Sequence, residues 1–152
     1  MTLMPAASHM TEALAEARRA AELGEVPVGC VIAAPDGSIV ARAHNRTRLD
    51  HDPTAHAELL AIRAAAGALG LERLVGFDLY VTLEPCAMCA AAISFARMRR
   101  LYYAAADAKG GGVEHGGRFY GQPTCHHAPE VYGGLAESEA AGLLKEFFAA
   151  RR

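Results

Sequence analysis

Residues 78–104 read DLYVTLEPCAMCAAAISFARMRRLYYA. The run from Asp78 to Leu83 carries the β-branched and aromatic residues of a buried strand. Pro85 then opens a short helix of small residues, Cys86 to about Ala96, proline being favoured in a first helical turn. Leu101 to Ala104 is a second strand. Strand, helix and strand in this order imply a right-handed crossover between parallel neighbours. The stretch therefore predicts a sheet with helices packed on it.

Upstream of this unit, Asp52-Pro53-Thr54 predicts a helix start, with a capping side chain and a proline. That helix runs to about Ala68 and is ended by Gly70. Earlier still, Val28 to Ala33 and Ser38 to Ala43 flank the turn Pro35-Asp36-Gly37 and read as a hairpin. Met10, Leu14, Ala17 and Ala21 recur at helical spacing, with Ser8 or Thr11 as cap and Gly24 just past the end. Downstream, residues 105–128 are glycine-rich and aperiodic, which predicts a long surface loop and a candidate lid. A short strand from Glu130 to Tyr132 and a closing helix from Ala136 to Arg152 complete the chain. The expected fold is one α/β domain over residues 1–152, a three-layer α/β/α sandwich with a mixed sheet of about five strands.

Composition limits the function classes. Hydrophobic residues make up 52% of the 152, enough for a real core. A net charge of −2 excludes a strongly basic nucleic-acid coat but leaves room for local cations, because arginines cluster at Arg42, Arg46 and Arg48, at Arg97, Arg99 and Arg100, and at Arg151 and Arg152. No apolar run approaches the roughly 18–20 residues of a membrane span. Residues 1–10 lack a basic leader followed by an apolar core, so a cytoplasmic, reducing setting is expected. There, the four cysteines point to metal or redox chemistry rather than disulfides.

The chemistry resides in His56-Ala57-Glu58 and Pro85-Cys86-Ala87-Met88-Cys89. Cys-x-x-Cys alone suits a redox pair, half of a structural zinc site, or a catalytic metal. With His56 it offers one nitrogen and two sulfurs, a donor set that zinc prefers. Cys86 and Cys89 are three apart, hence on one face of a helical turn, and close to its N-terminus, where thiolate is favoured. No fourth ligand stands at a matching spacing, which argues for an open, catalytic position. Glu58, two residues past His56, can reach a water in that position and move protons without binding the metal. Attack of water on an amino-substituted ring carbon, with loss of ammonia, is hydrolytic deamination, and H-x-E followed by P-C-x-x-C is the signature of zinc deaminases. One zinc ion per chain is expected.

These residues, with Glu25-Val26-Pro27-Val28-Gly29, Asn45-Arg46, His51-Asp52-Pro53-Thr54-Ala55, Tyr80-Val81-Thr82-Leu83-Glu84, Asp107-Ala108-Lys109 and Leu143 to Phe148, resemble the cytidine deaminase-like superfamily, and within it the bacterial tRNA-specific adenosine deaminases. The resemblance covers nearly the whole chain. It implies a homodimer that converts the wobble adenosine of a tRNA anticodon stem-loop to inosine. It also implies that Asn45 and the backbone at Ala57 hold the flipped base, with Val28 against its face. Asp107 and Lys109 would lie near flanking nucleotides, and Phe147 to Arg152 would meet the stem-loop. Residues 110–128, with Cys125-His126-His127, depart from the family pattern.

Beside the resemblance, Arg46 and Arg48 flank the expected pocket, where phosphates would need cations. Phe148, if exposed, could stack on a base. Cys30, inside an apolar strand, reads as core. Cys125, His126, His127 and His115 read as a polar surface loop rather than a second metal site. Two rival functions share parts of the pattern. A deaminase of free guanine, cytosine or cytidine would share the metal motif but has no use for the arginine-rich loop. A non-catalytic zinc module that binds RNA would have no use for Glu58.

Overall fold

The computed structural model describes residues 6–151. Its elements are α1 (Ala6–Glu22), β1 (Gly29–Ala33), β2 (Ile39–His44), α2 (Ala57–Leu69), β3 (Asp78–Leu83), α3 (Ala87–Phe95), β4 (Arg100–Ala105), a 3-10 turn (Phe119–Gly121), β5 (Glu130–Gly133) and α4 (Glu137–Ala149). The five strands lie in the order β2-β1-β3-β4-β5. β1 is antiparallel to both β2 and β3, whereas β3, β4 and β5 run parallel. The expected hairpin and crossover are both present, and the sheet is mixed.

Alternation along the strands sorts the core into two layers. Cys30, Ile32, Leu79, Val81 and Leu101 face α2 and α3. Val31, Ala33, Tyr80 and Ala104 face Met10, Ala13 and Leu14 of α1 and Ala140 of α4. This is the three-layer sandwich. Small residues let the layers close tightly: a Cβ on Gly29 would run into the Ala13 carbonyl and the Ala17 amide of α1. On the α1 face, paired register stacks Tyr80 on Tyr102 at 4.5 Å and Tyr102 on Tyr132 at 5.1 Å.

Several boundaries differ from expectation for identifiable reasons. α1 begins at Ala6, so Ser8 lies inside it, and the Thr11 hydroxyl bonds back to the Ala7 carbonyl instead of capping. α2 begins at Ala57, after the Asp52-Pro53-Thr54 segment. Asp52 caps only a local turn there, accepting from the Thr54 amide at 2.9 Å and its hydroxyl at 2.7 Å. His56 is accordingly the extended residue before the helix, not part of its first turn. Gly70, at φ 66°, closes α2 in the left-handed conformation, as expected. α4 starts at Glu137 and ends at Ala149.

The 105–128 segment is no free-standing lid. Gly111, Gly112 and Val113 are buried, and Tyr120 donates to the Ala90 carbonyl of α3 at 2.9 Å. His127 donates to the Met98 carbonyl at 2.7 Å, and the Cys125 thiol to the His127 carbonyl at 3.2 Å. The segment packs on α3 because its polar side chains find backbone partners in the core.

Candidate functional site

The N-termini of α2 and α3 converge at one end of the sheet. His56 and Cys86 are the extended residues immediately preceding the two helices. The His56 Nδ1 atom lies 3.6 Å from the Cys86 Sγ and 3.6 Å from the Cys89 Sγ. Nitrogen and sulfur bound to a tetrahedral zinc at about 2.0–2.1 Å and 2.3 Å stand about 3.5–3.6 Å apart. Both nitrogen–sulfur separations therefore match those of a tetrahedral zinc site, and all three donor atoms lie within 4.8 Å of one another. Among the described residues, His56, Cys86 and Cys89 form the one group of side chains close enough to share a metal ion. Cys125, His126, His127 and His115 form no second group.

Electrostatics agree with the geometry. The Cys86 thiol is held down at about 4 by the hydrogen bond from Cys89 and by His56. Cys89 is pushed up by its hydrogen bond with Cys86 and by burial. Two sulfurs and an imidazole nitrogen packed together want a cation between them. Cys30, fully buried beneath, is pushed up by burial and by Glu58 and serves as core.

Glu58 is 4% exposed. Burial pushes its carboxyl up to about 7, and the Cys86 thiolate adds to the shift. A carboxyl poised there takes and returns protons near neutral pH. It faces a cleft of about 290 Å³ with Val26, Val28, Asn45, Thr47, His56 and Asp107. Asn45 is fixed by a contact that spacing does not reveal: its Oδ1 accepts the Ala57 amide at 2.9 Å. Asn45 thereby supplies the cap of α2 and leaves its Nδ2 donor for the cleft. Ala57 is fully buried, and its backbone N–H bonds the Asn45 carboxamide oxygen, so the two expected base-holding groups are tied to each other. Val28 lines the cleft.

The expected outer residues divide. Arg46 pairs with Asp50, its Nε donating at 3.0 Å to each carboxylate oxygen. Arg48 instead lines a second hollow of about 310 Å³ with Val26, Phe147, Phe148 and Arg151. Lys109, Asp107 and Phe148 line a third of about 510 Å³. The shared residues Val26, Thr47, Asp107 and Phe148 make these one groove leading away from the metal cleft. Phe148 is 49% exposed, while Phe147 is buried under the Arg151 guanidinium, 3.5 Å above its ring. Arg152 lies outside the described residues. Two buried carboxylates, Glu25 and Glu84, have no expected role. Glu25 accepts the amides of Arg48 and Leu49, and Glu84 those of Asp107, Val113, Glu114 and His115. An acid directly following a buried strand, as Glu84 follows β3, is the signal that marks such a residue.

Residues 5–105 match the family described as the cytidine and deoxycytidylate deaminase zinc-binding region. A tRNA-specific adenosine deaminase of Agrobacterium fabrum is 64% identical over 95% of this chain and 95% of its own. A solved structure from a study of A-to-I editing by tRNA:A34 deaminases superposes with a TM-score of 0.88 at 65% identity, covering 90% of this chain and 99% of that one. A guanine deaminase from Bacillus subtilis superposes at 0.67 with 33% identity, covering 97% and 94%. With the donor triad and Glu58 in place on the matched fold, the chain belongs to the cytidine and deoxycytidylate deaminase family of zinc-binding enzymes.

Proposed function

We propose that this chain is a zinc-dependent hydrolytic deaminase that converts adenosine to inosine at the wobble position of a tRNA anticodon loop. The observation that carries the choice of substrate is the groove. A free base fills only the metal cleft, whereas here the cleft continues past Val26 and Thr47 to an exposed Phe148, with Arg48, Lys109 and Arg151 along it. Such a path suits a looped polynucleotide, with aromatic stacking for bases and cations for phosphates. The relatives named for tRNA deamination support the same reading.

One zinc ion per chain would be held by His56 Nδ1 and the sulfurs of Cys86 and Cys89, and it would supply the Lewis acidity that makes water acidic near neutral pH. The protein's own residues do the rest. A stacked base cannot reach this depth, so the nucleotide must be extruded, which costs least in a loop. Val28 packs against the base, and the Asn45 amide donates to it or to its sugar. Glu58 takes a proton from the attacking water, delivers one to the ring nitrogen, and carries another to the departing amine. The balance is adenosine plus water giving inosine plus ammonia.

The assembly we infer is a homodimer. Leu69, Leu71, Val75 and Phe95 are exposed apolar residues around the ends of α2 and α3, where the Leu74 amide bonds the Ala96 carbonyl. No described helix is long and apolar enough to cross a membrane. We infer a cytoplasmic enzyme from the proposed tRNA substrate alone. The test of substrate is inosine formation in an anticodon stem-loop beside ammonia release from guanine, cytosine, cytidine and adenosine. Inosine in the stem-loop with little release from the free compounds is expected. Faster release from a free base, with no inosine, would leave a free-base deaminase.

A further inference from the structure

Glu84 is 2% exposed, lies two residues before Cys86 and borders the metal cleft, yet it is not one of the grouped metal donors. Its Oε1 accepts the Asp107 amide at 3.0 Å and the His115 Nδ1–H at 2.7 Å. Its Oε2 accepts the amides of Val113 at 3.2 Å, Glu114 at 2.9 Å and His115 at 3.2 Å. No arginine or lysine pairs with it among the described residues. A buried carboxylate is tolerated only where its oxygens are satisfied. Here backbone amides from both ends of one loop satisfy them, so the carboxylate ties residue 107 to residues 113–115.

The loop is shaped to accept this anchor. A Cβ on Gly111 would run into the Glu84 carboxylate and the Asp107 carbonyl. A Cβ on Gly112 would meet the Ala87 amide, and the Gly112 amide bonds the Pro85 carbonyl at 2.8 Å. The loop thus lies directly on the start of α3. Its other side is the wall of the cleft. Asp107 and Gly110 line the cleft, and Asp107 Oδ1 accepts the Lys109 and Gly110 amides at 3.2 and 2.9 Å, a turn that sets Lys109 along the groove.

We infer that Glu84 is a positioning residue for substrate: it fixes the 107–115 wall so that Asp107 and Lys109 stand where the flanking nucleotides pass. This rests on the proposed reaction with a stem-loop. Glu84 has no oxygen left for the substrate, so its effect falls on binding and not on proton transfer.

The test compares wild type with Glu84→Gln and Gly111→Ala. Glu84→Gln keeps the volume but turns an amino group against amide donors. Gly111→Ala pushes the same contact apart from the loop side and leaves the Glu84 carboxylate itself unaltered. For both, KM for the stem-loop is expected to rise by about tenfold or more, with kcat within about threefold of wild type and zinc content unchanged. Hydrogen exchange at Asp107, Val113, Glu114 and His115 should quicken. Faster exchange with unchanged KM would make the anchor merely structural and overturn the inference. Loss of zinc and kcat in both variants at unchanged KM would overturn it in favour of a role at the metal. If Glu84→Gln does not fold, Gly111→Ala decides alone. Wild type without stem-loop activity would instead sink the substrate reading, and the exchange data would still show whether Glu84 holds the wall.

Discussion

Asn45 carries two separable duties, and two substitutions pull them apart. Its Oδ1 caps α2 through the Ala57 amide at 2.9 Å, and its Nδ2 is left for substrate. Asn45→Ala removes both. The Ala57 amide is buried, so it would lose its acceptor without gaining water. Loss of a helix cap or of one partner to a buried donor costs about 1–2 kcal/mol. For a domain of this size, that is a fall of roughly 2–8 °C in Tm. Asn45→Asp keeps an acceptor for the cap, beside a helix N-terminus that favours negative charge, so its Tm should stay within about 2 °C of wild type. Both variants lack the donor. A neutral hydrogen bond contributes about 0.5–1.5 kcal/mol, and misorientation of the base adds to its loss, so kcat/KM should fall by about tenfold or more in each. Thermal unfolding followed by circular dichroism, with inosine formation at saturating and limiting stem-loop, reads both duties. An Asn45→Ala protein as stable as wild type would refute the capping argument. An Asn45→Asp protein with full kcat/KM would refute the donor.

Glu58→Gln should retain fold and zinc but lose about 10²-fold or more in kcat, the range for a positioned acid–base group; a loss under tenfold in single-turnover assays would place the proton transfers elsewhere. Phe148→Ala should raise KM for a stem-loop severalfold and leave any residual reaction with free adenosine unchanged, because the ring lies in the outer groove and not in the cleft. The Glu84 carboxyl is held low: burial alone would raise it, but hydrogen bonds from Asp107, His115, Glu114 and Val113 outweigh that. A depressed folded value gives stability that is present above the unfolded value of about 4.3 and is lost as pH falls through the folded one. Urea unfolding should therefore show wild type more stable than Glu84→Gln at pH 7 and the gap narrowing below about pH 4.

Much of this site is legible in the sequence. The crossover from Asp78 to Ala104 is fixed by local signals, namely β-branched runs and a proline start, and so are His56, Glu58, Cys86 and Cys89, whose residue types and spacing carry their chemistry. The N-terminus of α2 was misplaced because Asp52 and Thr54 satisfy each other in a turn, while the true cap comes from Asn45, 12 residues before Ala57. A cap supplied across a loop leaves no periodic trace. Arg46 and Arg48 look equivalent in sequence, and only the Asp50 partner, in reach once the loop folds, separates them. Residues 105–128 looked like a lid because glycine hides periodicity. The carboxylate that pins them is 23 residues before Asp107, a distance at which spacing says nothing about pairing.

The most direct measurement is a zinc titration of metal-stripped protein, scored by inosine formed in an anticodon stem-loop. The account predicts that activity rises in proportion to zinc and reaches a plateau at one ion per chain, and that neither Cys86→Ser nor Glu58→Gln protein regains it. Full inosine formation without zinc, or no inosine at any zinc concentration up to and beyond one ion per chain, would contradict it.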